Sequence, residues 1–218
     1  MMMPRSVPTE LLIETTDAEL PGDLVLPRDN DALIVFAHGS GSSRRSGRNR
    51  QVAAALEGAG FGTLLFDLLT LREEAVDQHT AEFRFDIPLI GRRMMDVVDW
   101  LERAGETSGL EVGLFGASTG AAAALIAAAE RPRRVSAVVS RGGRPDLAVG
   151  VLDRVEAPTL LIVGERDTEV IRLNEMARSH IRAECELEIV PGATHLFEEP
   201  GALDHVSVLA TNWFQRHM

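Results

Sequence analysis

The sequence predicts a doubly wound α/β fold: a mostly parallel sheet of about eight strands, with helices on both faces and no cap domain. Two observations carry this. Apolar runs at 32–37, 63–66, 112–115, 135–139 and 159–163 are continuous rather than alternating, the mark of strands buried on both faces. Helical patterns separate them, so strand and helix alternate along the chain and right-handed crossovers place helices on both sides.

Taken in order, 11–14 and 24–26 are short apolar runs around Pro21-Gly22-Asp23 and read as an edge hairpin. The run 32–37 ends in glycine-rich sequence, and 47–59 follows as an alanine-rich helix. The stretch 67–86, with Glu73, Glu74, Asp77 and Glu82, fits either a mobile rim or an ordered helix. Residues 86–104 put Ile87, Ile90, Met94, Val97, Val98 and Leu101 on one stripe, the period of an amphipathic helix. The helix at 119–130 is almost all alanine and can lie close against a sheet. Helices at 169–182 and 202–217 flank a last, mixed strand at 187–190. With 218 residues and no linker, the expectation is one domain over 1–218.

Composition narrows the function classes. No apolar run reaches 18 residues, and no apolar stretch of signal-peptide length follows Met1-Met2-Met3-Pro4-Arg5, so a cytoplasmic protein without membrane contact is expected. A single cysteine, Cys185, excludes an internal disulfide framework. A net charge of −11 speaks against nucleic acid as a partner. Lysine is absent, which removes Schiff-base chemistry and lysine-based phosphate loops. The six histidines are scattered and none has His-x-x-x-His spacing, so no metal site is expected.

The chemistry-bearing motif is Gly116-Ala117-Ser118-Thr119-Gly120, between a buried strand and a helix. Glycines two residues either side of a serine let the chain make the sharp strand-to-helix turn that exposes a nucleophile. The helix N-terminus adds N–H groups that favour negative charge. The oxyanion that forms on attack needs two such donors. Thr119 N–H is one candidate; Ser40 N–H, in His38-Gly39-Ser40-Gly41, is the other. Ser, then Asp or Glu, then His is the expected chain order. Asp167, in Gly164-Glu165-Arg166-Asp167, emerges just past a strand end, with Asp146 and Glu165 as rivals. His195, in the loop after the last strand, is the candidate base; His38 reads as structural.

At these residues the chain resembles the dienelactone hydrolase-like branch of the α/β-hydrolase superfamily, over nearly its whole length. The resemblance implies an eight-stranded sheet and hydrolysis of esters or lactones without a cofactor. Dienelactone hydrolases proper have cysteine as nucleophile; this chain has Ser118, and its only cysteine, Cys185, precedes the last strand and cannot substitute. The resulting expectation is a serine hydrolase cleaving a small ester, thioester or lactone through an acyl-enzyme. An acyltransferase, or an idle domain that binds a small ligand or a partner, are the alternatives. Only about 19 residues separate strands 135–139 and 159–163, too few for a helical lid. Arginines crowd the nearby loops: Arg44, Arg45, Arg48 and Arg50, then Arg141 and Arg144. Arg141 and Arg144 are therefore candidates to hold a carboxylate or phosphate on the substrate. A monomer or homodimer is equally compatible with the sequence.

Overall fold

The computed structural model describes residues 7–28 and 31–218. Met1–Arg5, the start of the chain, lies outside them. Eight strands run in the order β1-β2-β4-β3-β5-β6-β7-β8. They are β1 (Thr9–Glu14), β2 (Glu19–Val25), β3 (Ala32–Ala37), β4 (Gly62–Phe66), β5 (Glu111–Ala117), β6 (Val135–Arg141), β7 (Thr159–Gly164) and β8 (Cys185–Val190). β1 and β2 are antiparallel at one edge, and every pair from β4 to β8 is parallel. The helices are α1 (Gly47–Gly58), α2 (Leu71–Thr80), α3 (Ile87–Arg103), α4 (Thr119–Glu130), α5 (Thr168–His180) and α6 (Ala202–His217). None is long and apolar enough to cross a membrane among the described residues.

The continuous apolar runs are buried as expected: all six residues of β3 and all six of β7 are inside. One hydrophobic cluster lies under α3 and α4, and a second, on the opposite face, lies under α1 and α6. The alanines of α4 let the helix lie against the strands, and Ala121–Ala124 are fully buried. Between β6 and β7 the chain makes only two short 3₁₀ turns over Pro145–Arg154, joined at Ala148. No cap domain covers the carboxyl ends of the strands.

The edge hairpin forms, but its turn is not at Pro21-Gly22-Asp23. Those residues are inside β2, and the reversal is at Thr15–Ala18, closed by Thr15 N–H donating to the Ala18 carbonyl at 2.9 Å. Pro21 is tolerated because the β2–β4 ladder begins only at Gly22. The 67–86 stretch is ordered. Thr70 and Glu73 make a capping box at the start of α2. Glu73 also holds the buried Arg93 of α3 with two contacts of 2.7 Å. Asp77 accepts from the Phe83 and Arg84 N–H groups, at 2.8 and 2.9 Å, and pairs with the Arg84 side chain.

Candidate active site

Ser118 stands between β5 and α4 with φ 51° and ψ −121°. A residue with a side chain enters that region only under constraint, and such strain collects at functional sites. The constraint is visible on both sides. A Cβ on Gly116 would come within 2.4 Å of Ala121 Cα, and one on Gly120 within 2.3 Å of the Ala37 carbonyl oxygen. The turn is also tied from the side: Ser118 N–H donates to the Arg141 carbonyl, and Arg144 N–H to the Ser118 carbonyl.

The loop after β3 passes directly over this turn, with the α-carbon of Gly39 close enough that an added Cβ would meet Ser118 Cβ at 3.0 Å. Thr119 is the first residue of α4, so its N–H has no intrahelical carbonyl to meet. The Ser40 N–H likewise meets no protein acceptor among the described residues. The loop itself is pinned by residues that motif reading did not single out. Asp67, just past β4, accepts from Arg44 N–H at 2.6 Å and from the Arg44 side chain at 2.5 Å. Asp23 takes Arg44 and Arg50. A carboxylate immediately after a buried strand was the only signal for Asp67.

His38 is buried, and both ring nitrogens are engaged. Its Nε2 accepts from Leu68 N–H at 3.0 Å, which assigns the proton to Nδ1, 2.9 Å from the Gly39 carbonyl. Burial holds its pKa below the usual histidine value. The unfolded chain therefore binds this proton more readily, so His38 reduces stability as pH falls below about 6.5 and costs nothing above it. Urea unfolding should lose up to about 1.4 kcal/mol per pH unit below pH 6.5 through this residue. A His38→Gln variant should lack that component; an unchanged pH slope would contradict the assignment.

At the other side of the cleft, His195 Nδ1 is 2.6 Å from Asp167 Oδ2. Asp167 follows β7 after a turn closed by its N–H onto the Gly164 carbonyl at 2.9 Å. A Cβ at Gly164 would fall 2.5 Å from the Ala193 carbonyl oxygen; this close approach sets the His195 loop beside the Asp167 turn. The rival acids are occupied elsewhere. Asp146 pairs with Arg144 at 2.7 and 2.8 Å, and Glu165 accepts from Gly192 N–H at 2.6 Å. Cys185 is half-buried, and burial pushes its thiol up to about 11, which keeps it protonated near neutral pH.

Ser118, Ser40 and His195 line one cleft of about 270 Å³, with Arg141, Arg48 and Asn49 at its α1 end. Among the described residues no hydrogen bond joins Ser118 Oγ to the imidazole; the two groups share the cleft. A second cavity of about 310 Å³ holds Thr119, Leu68, Ile90, Gln78 and Arg84, so α2 and the segment after it form its wall. Gly39, Ser40 and Ser42 border both, placing the glycine loop between them. Among the described residues no group of three or more His, Cys, Asp or Glu side chains could hold a metal ion.

The arginines separate. The Arg144 side chain is neutralised by Asp146 and does not line the Ser118 cleft; the residue meets the site only through its backbone N–H on the Ser118 carbonyl. Arg141 does line it. It is 6% exposed and has no carboxylate partner; its guanidinium donates to Asn49 Oδ1 at 3.1 Å and lies 5.9 Å from the Phe197 ring centre. Burial, and the nearby Arg48, lower its pKa to about 10.

Comparison with known proteins agrees with this architecture. Residues 30–208 match a family described as "Alpha/beta hydrolase domain". A crystal structure of dienelactone hydrolase from Anabaena variabilis is 52% identical, with a TM-score of 0.95 over 98% of this chain and 100% of that one. Est1E from Butyrivibrio proteoclasticus shares the fold at 15% identity, with a TM-score of 0.80 over 95% of this chain and 98% of that one. Two Mycobacterium tuberculosis strains each have a protein named "Putative phosphoribosyl transferase" that is 54% identical over 96% of this chain. The match takes up 46% of those proteins, so the chain spans about half the length of the curated relatives it matches. With the strand order, the strained turn at Ser118 and these matches together, the chain belongs to the α/β-hydrolase family and is dienelactone hydrolase-like within it.

Proposed function

We propose that this chain is a serine hydrolase that cleaves a small carboxylic ester, thioester or lactone through an acyl-enzyme on Ser118. One observation carries the reading: a serine held at φ 51° on a strand-to-helix turn shares a cleft with a histidine bonded at 2.6 Å to a partly buried carboxylate. Asp167 accepts a hydrogen bond from Nδ1–H, which keeps the proton on Nδ1 and leaves Nε2 of His195 free to accept from Ser118 once substrate closes the gap. Ser118 Oγ then attacks the carbonyl carbon. The oxyanion is met by the Thr119 and Ser40 N–H groups, which need no reorganisation because they are already unpaired. The imidazolium returns its proton to the leaving oxygen or sulfur, and water, deprotonated by the same imidazole, releases the acid and restores Ser118. The two cavities either side of the glycine loop supply separate spaces for the acyl and leaving groups.

An acyltransferase would use the same steps up to the acyl-enzyme. The transferase name of the Mycobacterium tuberculosis relatives describes proteins about twice the length of the matched part, and it carries no step here. The test is a panel of esters, thioesters and lactones of increasing acyl length. Cavities of about 270 and 310 Å³ without a lid hold short acyl groups fully and long ones only in part. The expected result is kcat/KM for butyryl esters about tenfold or more above that for dodecanoyl esters. No turnover of any member by folded protein would sink the proposal.

A further inference from the structure

The α1 end of the catalytic cleft holds more cationic donor groups than the protein itself uses. Arg141 is almost fully buried without an acid, and its Nε has no partner; the Nε of Arg48 is also buried and unpartnered. Among the described residues Arg48 pairs only with Glu198, at 3.4 Å through Nη1, and that carboxylate is largely exposed. A buried guanidinium facing a second arginine is costly unless an anion joins them. Both residues, with Asn49 and Ser46, surround the first turn of α1, which carries no acidic residue. The Ser46 side chain caps Asn49 N–H at 3.4 Å, and the helix end as a whole still favours negative charge. Asn49, 2% exposed, accepts from the Arg141 guanidinium through Oδ1, and its amide N–H₂ is a further donor group.

We propose that this end of the cleft binds a phosphate group carried by the substrate, held by Arg141, Arg48 and Asn49 at the N-terminus of α1. The donors come from two guanidiniums, an amide and a helix end. A planar carboxylate is satisfied by one guanidinium edge, whereas a tetrahedral phosphate offers three oxygens to donors from several directions. That the phosphate belongs to the substrate rests on the Ser118 reading above; the anion site does not. Ser118 and the phosphate site are in one cleft of about 270 Å³, so the scissile carbonyl and the phosphate are a few bonds apart on one small molecule.

The test separates the two claims. In Ser118→Ala protein, inorganic phosphate should raise Tm in a saturable way, while chloride and acetate at matched ionic strength should not. Adding Arg141→Gln or Arg48→Gln should weaken phosphate binding roughly 10- to 100-fold. Arg48 is one-third exposed, so its variant decides the question if Arg141→Gln does not fold. In the wild type, a phosphate-bearing ester should exceed its neutral analogue in kcat/KM, and each arginine variant should lower kcat/KM for the phosphate-bearing ester at least tenfold more than for the neutral one. No phosphate-specific Tm shift, an equal shift in the arginine variants, or acetate binding as tightly as phosphate would overturn the site. Phosphate binding with neither ester cleaved would support the site and overturn the Ser118 reading instead.

Discussion

Replacing Ser118 by alanine is expected to lower kcat on a short ester by roughly five to six orders of magnitude, with KM little changed. The expectation follows from where the side chain stands rather than from its presence alone. Ser118 shares its cleft with His195, and the N–H groups of Thr119 and Ser40 have no other acceptor among the described residues. Alanine keeps the loop, both donors and the cavity, so substrate still binds. It removes only the oxygen that attacks. The variant inherits the same φ of 51°, so the strain at the turn is unchanged and stability should stay within about 0.5 kcal/mol. His195→Ala should cost a similar factor, and the double variant little more, because the groups act as one unit. Additive losses would mean that the two residues work independently, against the mechanism above.

Gly120→Ala should be strongly damaging. Its Cβ would lie 2.3 Å from the Ala37 carbonyl oxygen and 2.6 Å from that of His38. Both are backbone atoms at the end of a central strand, and neither can swing away as a side chain would. Relief requires moving α4 or the loop that carries Gly39 and Ser40. The expected cost is about 3 kcal/mol or more, read as a drop in Tm of roughly 6–12 °C. The fraction that remains folded should lose a further hundredfold or so in kcat, since the oxyanion donors would be displaced. Gly58→Ala is the control: a Cβ there meets nothing within 4 Å, and the helix should be unaffected or slightly stabilised.

The parallel core was legible because strands buried on both faces must be apolar throughout, as β3 and β7 are. The candidate site was legible because chain order and strand ends put Ser118, Asp167 and His195 beyond the carboxyl ends of the strands in such a sheet. The hairpin was misplaced because Pro-Gly is a strong turn signal, and only long-range pairing with β1 and β4 makes it strand. The 67–86 stretch could not be read because its order comes from Glu73–Arg93 and Asp77–Arg84, polar contacts with no hydrophobic period. Arg141 and Arg144 looked alike in the sequence. Asp146, two residues on, neutralises the second; the first is buried beside Asn49, a contact spanning 92 positions that no local pattern announces.

The central claim is that Ser118 is the nucleophile, and a fluorophosphonate tests it most directly. Intact mass should show one equivalent bound per chain, and peptide mapping should place it on Ser118, with His195→Ala protein labelling far more slowly. Folded wild-type protein that takes up no label, or takes it on Ser40 or Ser42 in the same cleft, would contradict the account.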